Sequence, residues 1–163
     1  MEQLAGRIGQ ALKKNRQLLV TAESCTGGWA AQVVTSVAGS SDWFERGFVT
    51  YSNDAKHELL NVSKNTLKNH GAVSEETARE MALGALGRSK GTLALAITGV
   101  AGPTGGSKDK PVGTVCFAWA GKGTPARSET RRFAGDRESV RRQSVVRALE
   151  GVIELLEGKG FEE

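Results

Sequence analysis

The chain has 163 residues, of which 39% are hydrophobic and 25% charged, with a formal net charge of +4. That length suits one domain with a real core and is short for two, and the balance excludes a disordered chain. No run of about 18 apolar residues exists to span a membrane. Met1-Glu2-Gln3-Leu4-Ala5-Gly6-Arg7 lacks the basic-then-apolar plan of a signal peptide, so a cytoplasmic protein is expected.

Leu4, Ile8, Ala11 and Leu12 recur at helical spacing and predict an amphipathic helix over 2–15. A strand over 18–22 follows, then the turn Glu23-Ser24-Cys25 and a helix over 26–38. Phe48 to Tyr51 reads as a second strand, with short helices over 55–60 and 66–70. Ser74, followed by Glu75 and Glu76, is the N-cap of a helix running to about Lys90. Thr92 to Thr98 is the most apolar run and predicts a central strand. The stretch from Gly99 to Gly113 carries five glycines and two of the three prolines, which makes it a loop. Strands over 114–120 and 126–133 flank Gly121-Lys122-Gly123 as a hairpin. Asp136 then caps a long final helix. Strands separated by helices predict one α/β domain over residues 1–163, a three-layer α/β/α arrangement on a mixed, mostly parallel sheet.

The turn after the first strand presents a hydroxyl and a thiol, Ser24 and Cys25, at the carboxyl edge of the sheet. A helix opening there would aim unpartnered N–H groups at an anion or a developing oxyanion. Tyr51 and Thr98 end neighbouring strands, and ligands on open α/β sheets bind beyond such ends. Lys56 follows Tyr51 closely, and a desolvated lysine can serve as base to a serine. Two rivals stay open, His57 as base and Cys25 as nucleophile. Lys56 and His57 cannot both face the site, because successive helical side chains diverge by about 100°. The bland readings are a solvated lysine and a packed tyrosine.

Two cysteines, Cys25 and Cys116, are too few to staple the domain, and nothing near His57 or His70 has metal-ligand spacing. Neither metal nor cofactor is expected. Between Arg127 and Arg147, seven arginines stand against Glu129, Asp136 and Glu138, a local excess equal to the whole net charge. Such a cluster points to an anionic ligand more than to a nucleic-acid coat. The loop Thr98 to Gly106 has the composition of a phosphate loop without its Lys–Ser/Thr ending or the GxGxxG spacing.

Taken together, Thr21-Ala22-Glu23-Ser24-Cys25-Thr26-Gly27-Gly28, Gly39-Ser40-Ser41, Val49-Thr50-Tyr51-Ser52-Asn53-Asp54-Ala55-Lys56, Gly71-Ala72-Val73-Ser74, Thr98-Gly99-Val100-Ala101-Gly102-Pro103 and Gly135-Asp136-Arg137 resemble a known family in content and order. It is the C-terminal domain of the CinA (competence/damage-inducible) proteins, which includes stand-alone nicotinamide-nucleotide amidohydrolases of the PncC type. The likeness covers essentially the whole chain. It implies the single-domain form, without the amino-terminal domain of the larger CinA proteins.

The resemblance implies hydrolysis of nicotinamide mononucleotide to nicotinate mononucleotide and ammonia, in pyridine nucleotide salvage. On it, Ser24 is the nucleophile, with Tyr51 and Lys56 activating it. Ser41, Thr98 and Gly99 hold or polarise the substrate, and Arg137 binds its phosphate. Arg141 and Arg142, one helix turn later, are read from their position as solvated controls. Ser24 and Ser41 both sit in family motifs, so which serine attacks stays open, as does a homo-oligomer. A nucleotide-binding sensor without hydrolysis is the alternative. Direct DNA binding finds no helix-turn-helix or zinc signature in support.

Overall fold

The computed structural model describes residues 1–158. Its elements are α1 (Glu2–Lys14), β1 (Leu19–Glu23), α2 (Trp29–Thr35), a 3-10 turn (Ser40–Asp42), β2 (Phe44–Val49), α3 (Asn53–Leu60), α4 (Lys64–His70), α5 (Glu75–Gly87), β3 (Leu93–Gly99), β4 (Thr114–Gly121), β5 (Arg127–Arg132) and α6 (Arg137–Glu157). The five strands form one sheet in the order β2-β1-β3-β4-β5. β1 pairs in parallel with β2 and β3, while β4 runs antiparallel to β3 and β5. Four of the five strands therefore point the same way.

The alternation of side chains along the strands builds the three layers. Leu93, Leu95 and Ile97 of β3, with Val115, Phe117 and Trp119 of β4, meet α1, α2 and α6 on one face. Ala94, Ala96, Ala118 and Ala120 line the other face, where small side chains let Ala78, Met81, Ala82 and Ala85 of α5 approach the sheet closely. The expected α/β/α sandwich on a mixed sheet is what forms. No helix among the described residues is long and apolar enough to cross a membrane.

β1 connects onward to β2 on one side, and β3 connects to β4 on the other. The crevice between the carboxyl ends of β1 and β3 is thus where the connections diverge, the place where open sheets bind ligands.

Two expected boundaries are corrected. The helix expected over 26–38 is confined to Trp29–Thr35, because Gly27 and Gly28 take positive φ (60° and 104°) and hold the chain in a turn. The strand expected over 48–51 is β2, Phe44–Val49, an edge strand whose Glu45, Arg46 and Gly47 carry no apolar alternation.

α5 packs against α3 at Gly84, where an added Cβ would fall on the Leu60 carbonyl oxygen. Backbone on both sides leaves little room to relax. Gly84→Ala is expected to destabilise the domain by about 1–3 kcal/mol, seen as a lower urea midpoint with an unchanged slope.

Candidate active site

Glu23 closes β1, and Ser24 begins the turn beyond it. The Ser24 N–H donates to Ile97 O of β3 at 2.9 Å, and its carbonyl accepts from Gly27 N at 3.0 Å. These two bonds tie the turn to the neighbouring strand and curl it towards α2. From the other direction, Ser52 caps α3 by accepting from Ala55 N at 3.0 Å. The cap starts the helix where Lys56, one turn in, reaches back under the sheet edge.

Lys56 is almost completely buried, at 1% exposure. Its Nζ lies 2.8 Å from Ser24 Oγ, 2.9 Å from Thr50 O and 3.1 Å from Tyr51 O. Among the described residues no carboxylate pairs with it, and burial pushes its pKa down from 10.5 to about 8. The neutral amine has two N–H donors and one lone pair. Two carbonyl oxygens take the donors, so the lone pair is left for the Ser24 hydroxyl proton. A hydroxyl and a neutral amine so placed can act as nucleophile and base.

Of the two rivals, Cys25 lines the cleft and His57 does not. His57 Nδ1 sits 2.9 Å from Val62 O, at the far end of α3. Cys25 is buried, and desolvation pushes its thiol up to about 12, which keeps it protonated near neutrality.

A cleft of about 350 Å³ opens over Ser24 and Lys56. Its far wall is the loop after β3, from Thr98 and Gly99 to Gly105, and Ala72 and Val73 close one side. The Thr98 hydroxyl is buried and donates to Ala72 O at 2.8 Å, which leaves its oxygen lone pairs as acceptors. Gly99 has no room for a side chain, since a Cβ would meet Val115 Cγ2 at 2.8 Å and Thr114 O at 2.9 Å. The lining carries two cations, Lys56 at the floor and the exposed Arg137 at the mouth, and no acidic side chain. Arg137 Nη1 donates to Gly102 O at 2.7 Å, and its Nη2 to the Tyr51 hydroxyl at 3.3 Å.

Several expected placements change. Tyr51 belongs to the site, but its ring is exposed and its hydroxyl faces Arg137; its backbone carbonyl is what meets Lys56. Ser41 lies in the exposed 3-10 turn before β2, at the amino edge of the sheet, and lines no part of the cleft. A strand of this length spans roughly 20 Å, so Ser41 and Ser24 are at opposite ends. The start of α2 is not open to an oxyanion, because the fully buried Glu23 carboxyl accepts from Ala30 N (2.8 Å), Ala31 N (3.1 Å) and the Thr26 hydroxyl (2.6 Å). The start of α6 is occupied in part as well, with Asp136 Oδ1 accepting from Ser139 N at 2.9 Å.

The arginine cluster divides. Arg147 is buried between Glu129 and Glu154, and Arg131 also pairs with Glu129. Arg141 is not solvated, since it donates to Cys25 O at 3.1 Å and Thr26 O at 3.2 Å. Arg142 pairs on the surface with Glu138 at 3.0 Å. Only Arg137 of the seven lines the cleft. Sequence reading missed Glu23, Arg141 and the Ala72 carbonyl. The one available signal was a charged residue closing an otherwise apolar strand.

Fold and site together define a single α/β domain with a serine–lysine pair at the divergence point of a mixed sheet. The model of the CinA C-terminal domain matches residues 1–156, and the chain belongs to that family. It is 56% identical over 152 residues to the nicotinamide-nucleotide amidohydrolase PncC of Escherichia coli strain K12, covering 91% of this chain and 90% of that protein. A protein of the same name from Pseudomonas putida is 51% identical over 152 residues, with 93% and 94% covered. The crystal structure of the competence/damage inducible protein CihA from Agrobacterium tumefaciens matches with a TM-score of 0.92 at 45% identity, over 96% of this chain and 94% of that one. The resemblance drawn from the motifs is borne out.

Proposed function

We propose that this chain hydrolyses the carboxamide of nicotinamide mononucleotide to nicotinate mononucleotide and ammonia, in pyridine nucleotide salvage, with Ser24 as nucleophile and Lys56 as its base. The observation that carries the reading is the 2.8 Å contact between Ser24 Oγ and a buried Lys56 Nζ whose other two partners are carbonyl oxygens. The names of the two relatives above, nicotinamide-nucleotide amidohydrolases, support the choice of substrate.

Ser24 Oγ attacks the carboxamide carbon while its proton passes to the Lys56 lone pair. The loop from Ala101 to Gly105 lines the cleft together with Ser24, and its backbone is the source of N–H donors for the oxyanion so formed. Collapse breaks the C–N bond, and the Lys56 ammonium returns its proton to the leaving nitrogen, which departs as ammonia. Water then attacks the Ser24 ester with Lys56 again as base, releasing the carboxylate and restoring the hydroxyl. Incubation with nicotinamide mononucleotide and chromatography of the products tests the reading. Equal amounts of ammonia and nicotinate mononucleotide support it. Binding without turnover would instead describe a sensor.

Arg137 reads the 5′-phosphate in this account, exchanging its bond to Gly102 O for the anion. Contact remote from the amide positions the carboxamide against Ser24. Arg137→Ala is therefore expected to lower kcat/KM for the nucleotide about a hundredfold and for the unphosphorylated riboside only a fewfold, with Arg142→Ala as the silent control. Equal losses on the two substrates would assign Arg137 to the fold instead.

A further inference from the structure

The proposed reaction does not use Glu23. Glu23 has no exposed surface, immediately precedes Ser24, and is met by no lysine or arginine side chain among its hydrogen-bond partners in the described residues. Burying a carboxyl group is costly unless its oxygens are satisfied, and here both are. Oε1 accepts the Thr26 hydroxyl and Ala30 N–H, and Oε2 accepts Ala31 N–H. The group thus spans the turn that carries Ser24, tying the end of β1 to residue 26 and to the start of α2, whose dipole favours an acid there.

Arg141 restrains the same turn through the Cys25 and Thr26 carbonyls. The segment after Ser24 is therefore held both by the Glu23 acceptor and by the Arg141 donor. Gly27 and Gly28, both at positive φ, give this segment conformational freedom that these contacts restrict. Ser24 meets Lys56 from a different element, so their 2.8 Å contact depends on where the turn is held.

We infer that Glu23, acting through the Thr26 hydroxyl, is a positioning residue that sets the Ser24 hydroxyl against Lys56 for attack. This rests on Ser24 being the nucleophile. Glu23 touches neither Ser24 Oγ nor the cleft, so its loss should reduce the rate of the chemical step and leave substrate binding and the base unchanged. A misplacement of about 1 Å costs on the order of a hundredfold in rate.

The test compares Glu23→Gln, Thr26→Val and Thr26→Ser, each assayed with nicotinamide mononucleotide at a temperature where circular dichroism shows the variant folded. Glutamine offers one acceptor oxygen and turns an N–H₂ towards a backbone N–H. Valine keeps the shape of threonine without its hydroxyl, and serine keeps the hydroxyl. Glu23→Gln is expected to lose about a hundredfold in kcat and Thr26→Val about tenfold, with KM within about threefold of the parent. Thr26→Ser should restore kcat to within about twofold, and every variant should keep the parent's pH midpoint. Should Glu23→Gln fail to fold, the Thr26 pair decides alone. Thr26→Val turning over at the parent rate, or kcat following the unfolding midpoint and not the hydroxyl, overturns the inference. Ser24→Ala, run alongside, separates the two claims: its full activity would remove the nucleophile assignment, whereas an inactive Ser24→Ala beside a fully active Thr26→Val removes only the role of Glu23.

Discussion

Ser24→Ala is expected to abolish ammonia release from nicotinamide mononucleotide, a loss on the order of ten-thousandfold or more, with the circular dichroism spectrum unchanged. Ser24 is 7% exposed, so the change removes one oxygen from the cleft floor and little else. Its backbone bonds to Ile97 O and from Gly27 N do not involve the side chain and keep the turn in place. Cys25→Ala is the paired control. A thiol pushed up to about 12 is protonated at neutral pH and so a poor nucleophile, and the variant should keep activity within a fewfold. The reverse pattern would exchange the two assignments.

Lys56 gives the second large effect. Lys56→Ala should lower kcat by about a hundredfold or more, as removal of a general base does. Lys56→Arg should fare no better, because a guanidinium stays charged and cannot accept the serine proton. His57→Ala is expected to be mild, since its Nδ1 faces Val62 O and not the cleft. The pH dependence follows from the same burial. Only the neutral amine accepts a proton, so kcat/KM should rise about tenfold per pH unit up to about 8 and level off above it.

Stability carries the matching signature. With the native pKa lowered to about 8 from 10.5, the unfolded state binds the extra proton between those values. Stability therefore gains from Lys56 as pH rises from about 8 to 10.5, and gains nothing from it below. Lys56→Met should flatten that part of the curve. A pH–rate midpoint near 6.5, lost in His57→Ala, would move the base to His57.

Much of this was legible in the sequence, and for physical reasons. The apolar run 92–98 and the helix opened by Ser74 have strong periodicity or a strong cap, and β3 and α5 lie within three residues of expectation. Ser24, Tyr51 and Thr98 were read as ends of neighbouring strands, and the sheet order puts them on one edge. Local patterning fails where long-range pairing decides. β2 is an edge strand with exposed polar residues, so its period carried no signal. Ser24 and Ser41 both sit in family motifs, and only the parallel pairing of β1 with β2 places them at opposite edges. Glu23 escaped notice because a strand-ending glutamate is ordinarily solvated. Its burial depends on the bend at Gly27 and Gly28 bringing the start of α2 back over it.

The arginine cluster teaches the same point from charge. Seven arginines suggest one anion site, yet Arg131 pairs with Glu129 along β5, Arg147 of α6 meets the same carboxylate, and Arg141 serves the Ser24 turn. Counting charges identified the region. Contacts alone separate Arg137 from the rest.

The central claim is covalent attack by Ser24, and trapping the intermediate tests it most directly. The protein would be mixed with excess nicotinamide mononucleotide and quenched in acid within the first turnover, then digested with trypsin and analysed by fragmentation mass spectrometry. Residues 17–46 contain no internal lysine or arginine, so Ser24, Cys25 and Ser41 share one peptide and fragmentation must place the added mass. The nicotinate mononucleotide acyl group is expected on Ser24, and is expected to be absent from that peptide in Ser24→Ala. The same group on Cys25 or Ser41 would contradict attack by Ser24.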